Sequence, residues 1–239
     1  MNVSGWVDFW NRDNPIYVNA RHKWLHYRGL AQDFSGLITT PNALMLDYGC
    51  GEALEAGLLA GKVERLFLYD AAPNIRTGLA ARFGENAAIT ILDDAALETM
   101  PEGALDLILI HSVSQYVERQ EFACLVKRLA EKLKPGGRLI IGDVIPPGLS
   151  PLKDALALLA FGLNGGFLMA AVFGLIRAGL SDYRTLRNRL GLTQYDEADM
   201  LGLLAAAGLK AERLPHNPGH NGARMAFAGQ RRGEAKDAD

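Results

Sequence analysis

No other stretch constrains this chain as much as Leu44-Met45-Leu46-Asp47-Tyr48-Gly49-Cys50-Gly51. An apolar run that ends in an acid and then breaks at two glycines spaced one apart reads as a buried parallel strand turning sharply into a helix. Glycine at 49 and 51 lets the backbone turn tightly and brings a ligand against bare amides, and Asp47 at the strand's end can accept hydrogen bonds from a cationic or N–H-bearing group. The acid argues against a dinucleotide diphosphate at this turn. A dinucleotide fingerprint would also carry a third glycine at position 54, where the chain has Leu54.

Four more runs read as strands: Arg65 to Asp70, Ala88 to Leu92, Ala104 to Ser112 and Arg138 to Asp143. Helical stretches separate them, as in the stripe Phe122, Leu125, Leu129 and Leu133. Lys210 to Leu214 and Met225 to Gly229 should complete a seven-stranded sheet. This alternation predicts an α/β fold with a doubly wound, mostly parallel, Rossmann-like sheet and ligands at the carboxyl ends of its strands. Asp47, Asp70, Asp94, His111 and Asp143 all fall at such ends. Asp70 lies about 20 residues beyond the glycine turn, where a βαβ unit presents an acid to both ribose hydroxyls.

Asp47-Tyr48-Gly49-Cys50-Gly51 resembles the first motif of class I S-adenosylmethionine-dependent methyltransferases, with Ala53 where that family usually has another glycine. A second, independent signature is Leu133-Lys134-Pro135-Gly136-Gly137 leading into a strand, and Leu105-Asp106 stands for the family's Phe-Asp. The resemblance implies S-adenosylmethionine as cofactor and a small-molecule acceptor. It implies cofactor contacts from Asp47, Gly49, Cys50 and Gly51, from Asp70 and Ala71, and from Asp94, preferred over Asp93, with Ala95. His111 would face the methyl donor, and Tyr17 and Arg21 would cover it from the N-terminal side, near His22 and His26. His111 is the candidate general base and Asp143 the group that orients an acceptor hydroxyl. No metal is expected, because His111-Ser112 replaces the second acid that metal-dependent members carry after the fourth strand.

The 239 residues, 49% hydrophobic and 22% charged, suffice for one buried domain with decorations. A formal net charge of -2 gives no basic field for nucleic acid. Two cysteines, Cys50 and Cys124, suit a reducing compartment, and the polar, aromatic start carries no signal peptide, so a cytoplasmic location is expected. Residues 1–40 are expected as an N-terminal helical lid, in which a turn at Asn14-Pro15 precedes a helix with Ala20, Trp24, Tyr27, Ala31, Phe34 and Ile38 on its buried stripe. Residues 41–230 form the methyltransferase domain, with a helical cap inserted at 149–190, and 231–239 form a disordered tail. Ala95 to Gly103 reads as irregular, Ser181 to Leu190 as a polar helix with Arg184, Arg187 and Arg189, and Thr193 with Asp196 as a capping pair. His216 and His220 sit in a loop whose proline and glycines spoil a metal register.

Within the cap, Ala155 to Ile176 is apolar apart from Asn164, long enough by count to span a bilayer. Crossing there would separate the last strands from their own sheet, and Asn164-Gly165-Gly166 divides the run, so an apolar helical hairpin is expected. It would lid an apolar pocket, form a homodimer interface or touch a membrane peripherally. The lid is favoured, with an apolar or lipid-like acceptor. The competing functions are an NAD-dependent oxidoreductase, a non-catalytic partner with the same fold and a membrane-attached scaffold.

Overall fold

The computed structural model describes residues 3–11, 17–178 and 191–233. The Asn14-Pro15 turn, the polar helix at Ser181 to Leu190 and all but the first residues of the 231–239 tail lie outside the described residues.

Five parallel strands, β1 (Leu44–Tyr48), β2 (Arg65–Tyr69), β3 (Ile89–Ile91), β4 (Leu105–His111) and β5 (Leu133–Val144), are joined by β6 (Leu209–Arg213) and β7 (Met225–Arg231) in the order β3-β2-β1-β4-β5-β7-β6. β7 runs antiparallel to both neighbours. The strands read as unbroken apolar runs because both faces are covered. Successive residues alternate between two cores. Leu46, Ile108, Ile110, Leu139 and Ile141 face one core with α6 (Arg119–Glu131) and the helix Glu197–Ala206, here α9. Met45, Leu107, Leu109 and Ile140 face the other, with α2 (Ala20–Leu37), α3 (Ala56–Ala60) and α4 (Pro73–Phe83).

Lys134 to Gly137 forms the expected tight excursion, but inside β5. Leu105 pairs with Leu133 and Leu107 with Arg138, so the intervening residues loop out, with Gly136 at φ +82°. The apolar run after β5 is a hairpin of α7 (Pro151–Gly165) and α8 (Leu168–Ala178), turned by Gly166 in the left-handed conformation. A short helix α1 (Val3–Trp10) precedes α2.

Three expectations change. Only Met100 to Gly103 of the segment expected to be irregular is so: Ala95 to Thr99 belongs to α5 (Asp94–Thr99), which forms because Asp93 caps it, its side chain accepting from the Ala96 N–H at 2.7 Å. Thr193 caps nothing. Its hydroxyl donates to the Val117 carbonyl, and Asp196 alone caps α9 by accepting from the Asp199 N–H. Trp24 is 39% exposed, because α2 buries the face carrying His22, Leu30, Ala31 and Phe34.

Candidate active site

The glycine turn is held by its neighbour strand. The N–H groups of Gly49 and Cys50 both donate to the Tyr69 carbonyl, at 2.7 and 3.1 Å. Gly49 (φ +74°) and Gly51 (φ +57°) need the left-handed region, and a Cβ on Gly49 would lie 2.4 Å from Val113 Cγ2. Ala53, where the resembled family has glycine, is itself left-handed at φ +42°. Asp70 staples the turn to the next helix, with Oδ2 accepting from the Gly51 N–H (3.0 Å) and Oδ1 from the Ala72 N–H (2.9 Å). Each oxygen keeps a lone pair for a ligand hydroxyl. Burial raises Asp70's pKa, opposed by those two amides and then by Arg76.

Asp47 sits beneath this turn with no side-chain hydrogen bond among the described residues, 7% exposed. Burial, then the nearby Asp70 charge, raises its pKa to about 7. A buried acid without a partner is costly as the anion and suits a cationic ligand. Cys50 is buried, its thiol pushed well up by burial and by Asp47.

Further along the same edge, the two acids after β3 divide their work. Asp93 is taken by its cap, whereas Asp94 accepts from the Tyr69 hydroxyl at 2.8 Å, lies 3.5 Å from Arg76 and stays exposed. Ala71 and Ala95 are exposed beside these acids and leave the space over the strand ends open.

Tyr27 lies across the glycine turn. Its oxygen accepts from the Glu52 N–H at 3.0 Å and is within 2.9 Å of where a Gly51 Cβ would stand. The Tyr17 ring packs beside that of Tyr27, 5.9 Å between centroids. Burial raises both phenols, Tyr27 to about 12. Arg21 is turned elsewhere: it is exposed, and its Nε donates to the Gly165 carbonyl at the turn of the α7–α8 hairpin. Its expected place over the cofactor gives way to this contact.

At the ends of β4 and β5 the site is made of side chains. His111 Nε2 is 3.2 Å from the Pro218 carbonyl, which can only accept, so Nε2 carries the proton of the neutral ring. Nδ1 faces the Ser112 hydroxyl at 3.0 Å, and that hydroxyl donates to Asp143 Oδ2 at 2.8 Å. Gln115 Nε2 approaches the same carboxylate oxygen at 3.4 Å. Burial lowers His111's pKa, opposed by Asp143, the Pro218 carbonyl and Asp33. With Nε2 protonated and the Ser112 proton directed to Asp143, Nδ1 is left as a bare acceptor beside the Ser112 oxygen. Ser112 (φ +57°) and Asp143 (φ +60°) are both left-handed non-glycine residues on adjacent strands, the kind of local strain that collects at functional sites.

The loop before β7 closes this half. Because β7 runs opposite to β5, Met225 pairs with Val144 and the preceding loop lands on the carboxyl edge. Asn217 Oδ1 accepts from the Asp143 N–H (2.7 Å), and the Gly219 N–H donates to Asp33 (2.7 Å). His220 stacks on Phe161 of α7 (4.5 Å between centroids, 10° between planes) and His22 on Phe167 (5.0 Å, 18°). Burial keeps these imidazoles neutral, lowering His22 to about 4 and His26 to about 3. Among the described residues no group of three or more His, Cys, Asp or Glu side chains is arranged to hold a metal ion.

Ser112, Asn217, Tyr27 and His220 are the site residues that sequence reasoning missed. Tyr27 alone left a signal, by sitting on the α2 stripe directly after His26.

The fold and the site define a doubly wound α/β protein with an open glycine turn at the carboxyl edge of its sheet. The profile of a family described as "Methyltransferase domain" matches residues 46–141, from β1 into β5, within a class I, S-adenosylmethionine-dependent methyltransferase domain whose sheet β6 and β7 complete. No curated protein sequence matches it. Among solved structures it is similar to the magnesium protoporphyrin IX methyltransferase ChlM of Synechocystis PCC 6803 with bound S-adenosylmethionine (16% identity, 97% of this chain and 98% of that one, TM-score 0.60). It is similar also to the N-methyltransferase NodS of Bradyrhizobium japonicum WM9 in complex with S-adenosylhomocysteine (17%, 98% and 100%, 0.58). The residues present fit S-adenosylmethionine: a glycine cradle that a Cβ would fill, an unpartnered buried carboxylate for an ammonium, and Asp70 for ribose hydroxyls.

Proposed function

We propose that this methyltransferase acts in the cytoplasm on a small, apolar or lipid-like acceptor, by direct in-line transfer, with His111, Ser112 and Asp143 managing the acceptor's proton. The observation that carries the reading is the convergence of two unlike sets on one sheet edge: the Asp47–Gly51–Asp70 cradle and the His111–Ser112–Asp143 chain. Bound S-adenosylmethionine would supply an activated methyl group, so the protein's tasks are alignment, exclusion of water and removal of a proton where the acceptor is a hydroxyl or protonated amine. Asp47 would pair with the donor's ammonium, Asp70 with its ribose and Asp94 with its adenine, under Tyr27 and Tyr17.

The acceptor's proton would pass to Asp143 and on to the Ser112 oxygen as Ser112 gives its own proton to Nδ1 of His111, the one ring nitrogen without a proton, so that Asp143 and Ser112 end as they began and His111 holds the extra proton. The imidazolium that results faces the Pro218 carbonyl and Asp33 rather than solvent. The apolar lining follows from the hairpin over this edge, whose Phe161 and Phe167 stack on neutral imidazoles.

Calorimetric titration with S-adenosylhomocysteine and with NAD tests the donor half: micromolar binding of the first and none of the second is expected. Transfer of labelled methyl from S-adenosylmethionine to a panel of phenols, long-chain alcohols and amines tests the acceptor half. A preference for charged, hydrophilic acceptors would overturn it.

A further inference from the structure

The α7–α8 hairpin turns two apolar stripes outward. Leu152, Leu156 and Leu163 are 55–67% exposed on α7, and Met169, Phe173 and Ile176 are 60–65% exposed on α8. Spacings of four and seven on α7, and of four and three on α8, place each set on one side of its helix. The other sides are spent within the protein: Phe167 and Ala171 are buried, and Gly174 lies against Val18. Among the described residues no helix is long and apolar enough to cross a membrane, so the face is not a span. Six large apolar side chains side by side exceed what scattered surface residues explain.

The rim of this face selects its occupant. Arg21 joins α2 to the hairpin turn through the Gly165 carbonyl, and three and seven residues on, along the same side of α2, lie exposed Trp24 and Arg28. The Arg28 guanidinium lies 4.9 Å from the Trp24 ring centroid. Lys153 is exposed at the hairpin's base. The sequence carries no acid from Ala20 to Gln32 or from Ala155 to Ala178. An apolar face bordered by tryptophan and cations, with acids absent, matches a surface that lies in the headgroup region of a bilayer and draws on its negative charge. A two-fold dimer through the same face would set Arg21, Arg28 and Lys153 near their own copies with no acid between them.

We propose that the outer face of the hairpin, together with the Arg21–Trp24–Arg28 side of α2, docks the protein on an anionic lipid bilayer. The docking does not depend on which acceptor is methylated. Few cations take part, so apolar insertion carries the attachment and the charges set its preference for anionic lipid.

Flotation of the full chain with vesicles of phosphatidylcholine, with and without about one-third phosphatidylglycerol, tests this. The chain should float with the mixed vesicles, and about fivefold less per cation when Arg28→Glu and Lys153→Glu remove the rim charges. Met169→Asp with Phe173→Asp should abolish flotation while S-adenosylhomocysteine binding, measured on the same samples, persists as the check of folding. Should the aspartate pair unfold the chain, the rim variants and the fall of wild-type flotation with salt carry the same decision. Three results would overturn the proposal: no flotation with anionic vesicles at low salt, flotation of folded variants equal to wild type, or a dimer that the aspartate pair dissolves in a chain that ignores vesicles.

Discussion

Along one sheet edge, the donor half and the acceptor half are built by opposite means. At β1, β2 and β3 backbone amides shape the site, within one βαβ unit: those of Gly49 and Cys50 clamp to the Tyr69 carbonyl, and those of Gly51 and Ala72, 19 and 2 residues from Asp70, to its carboxylate. At β4 and β5, side chains shape it, and their partners come from far along the chain. His111 meets the Pro218 carbonyl, and the Asp143 amide meets Asn217. A site made of short-range backbone contacts forms with its strands and leaves little room for variation. One assembled by a distant loop and a helical cap can be reshaped without touching the sheet, which suits a constant donor and a variable acceptor.

The sharpest test of that division is Asp70→Ala, which should weaken S-adenosylhomocysteine binding by about 2–3 kcal/mol, from lost ribose hydrogen bonds and a loosened turn. Unchanged affinity in calorimetry of a folded variant would remove Asp70 from the donor half. Asp47→Asn should show the cost of pre-forming that half. With a folded pKa of about 7, above the ordinary carboxylate range, Asp47 stabilises the fold fully at low pH and loses that contribution as pH rises through 7. The variant should therefore be more stable than wild type at pH 8, on the order of 2 kcal/mol, with the gain gone near pH 4 while donor binding weakens. Thermal melts at the two pH values decide it; a variant less stable at pH 8 would mean that Asp47 has a partner.

Asp143→Asn should lower turnover about tenfold or more with donor affinity changed less than about twofold. A parallel loss of donor binding would merge the two halves into one. The smallest effect belongs to Asn217→Ala, which removes the acceptor for the Asp143 amide and should cost about 1 kcal/mol in denaturant unfolding, again with the donor site intact.

This contrast also decided what the sequence revealed. The sheet, the glycine turn and Asp70 were legible because their determinants lie within one βαβ unit, as apolar alternation and fixed spacing. Asp93 and Asp94 were legible as a pair, but not their division of labour, since a helix cap and a ligand contact both ask for an acid. Helical periodicity placed Trp24 on the buried stripe because it records spacing, not which side of α2 the hairpin leaves open. Ser112 and Asn217 left no local mark: Ser112 meets Asp143 only once β4 and β5 lie side by side, and Asn217 meets the Asp143 amide only once β7 has brought its loop to the carboxyl edge. The contact of Arg21 with the Gly165 carbonyl was illegible for the same reason, the two lying 144 residues apart.

The aromatic contacts of α1 have an optical consequence. The chain's three tryptophans are Trp6, Trp10 and Trp24, all within its first 24 residues. Trp6, 2% exposed, and Trp10 pack on Tyr116, in the 3-10 turn (Ser114–Tyr116) that follows His111 and Ser112. Intrinsic emission is therefore nearly blind to the sheet and reports on the N-terminal helices. Quenching by a soluble agent would separate its signals without any label: the buried and half-buried indoles of Trp6 and Trp10, which register how α1 seats beside the acceptor half, and the exposed one of Trp24 on the rim of the cap.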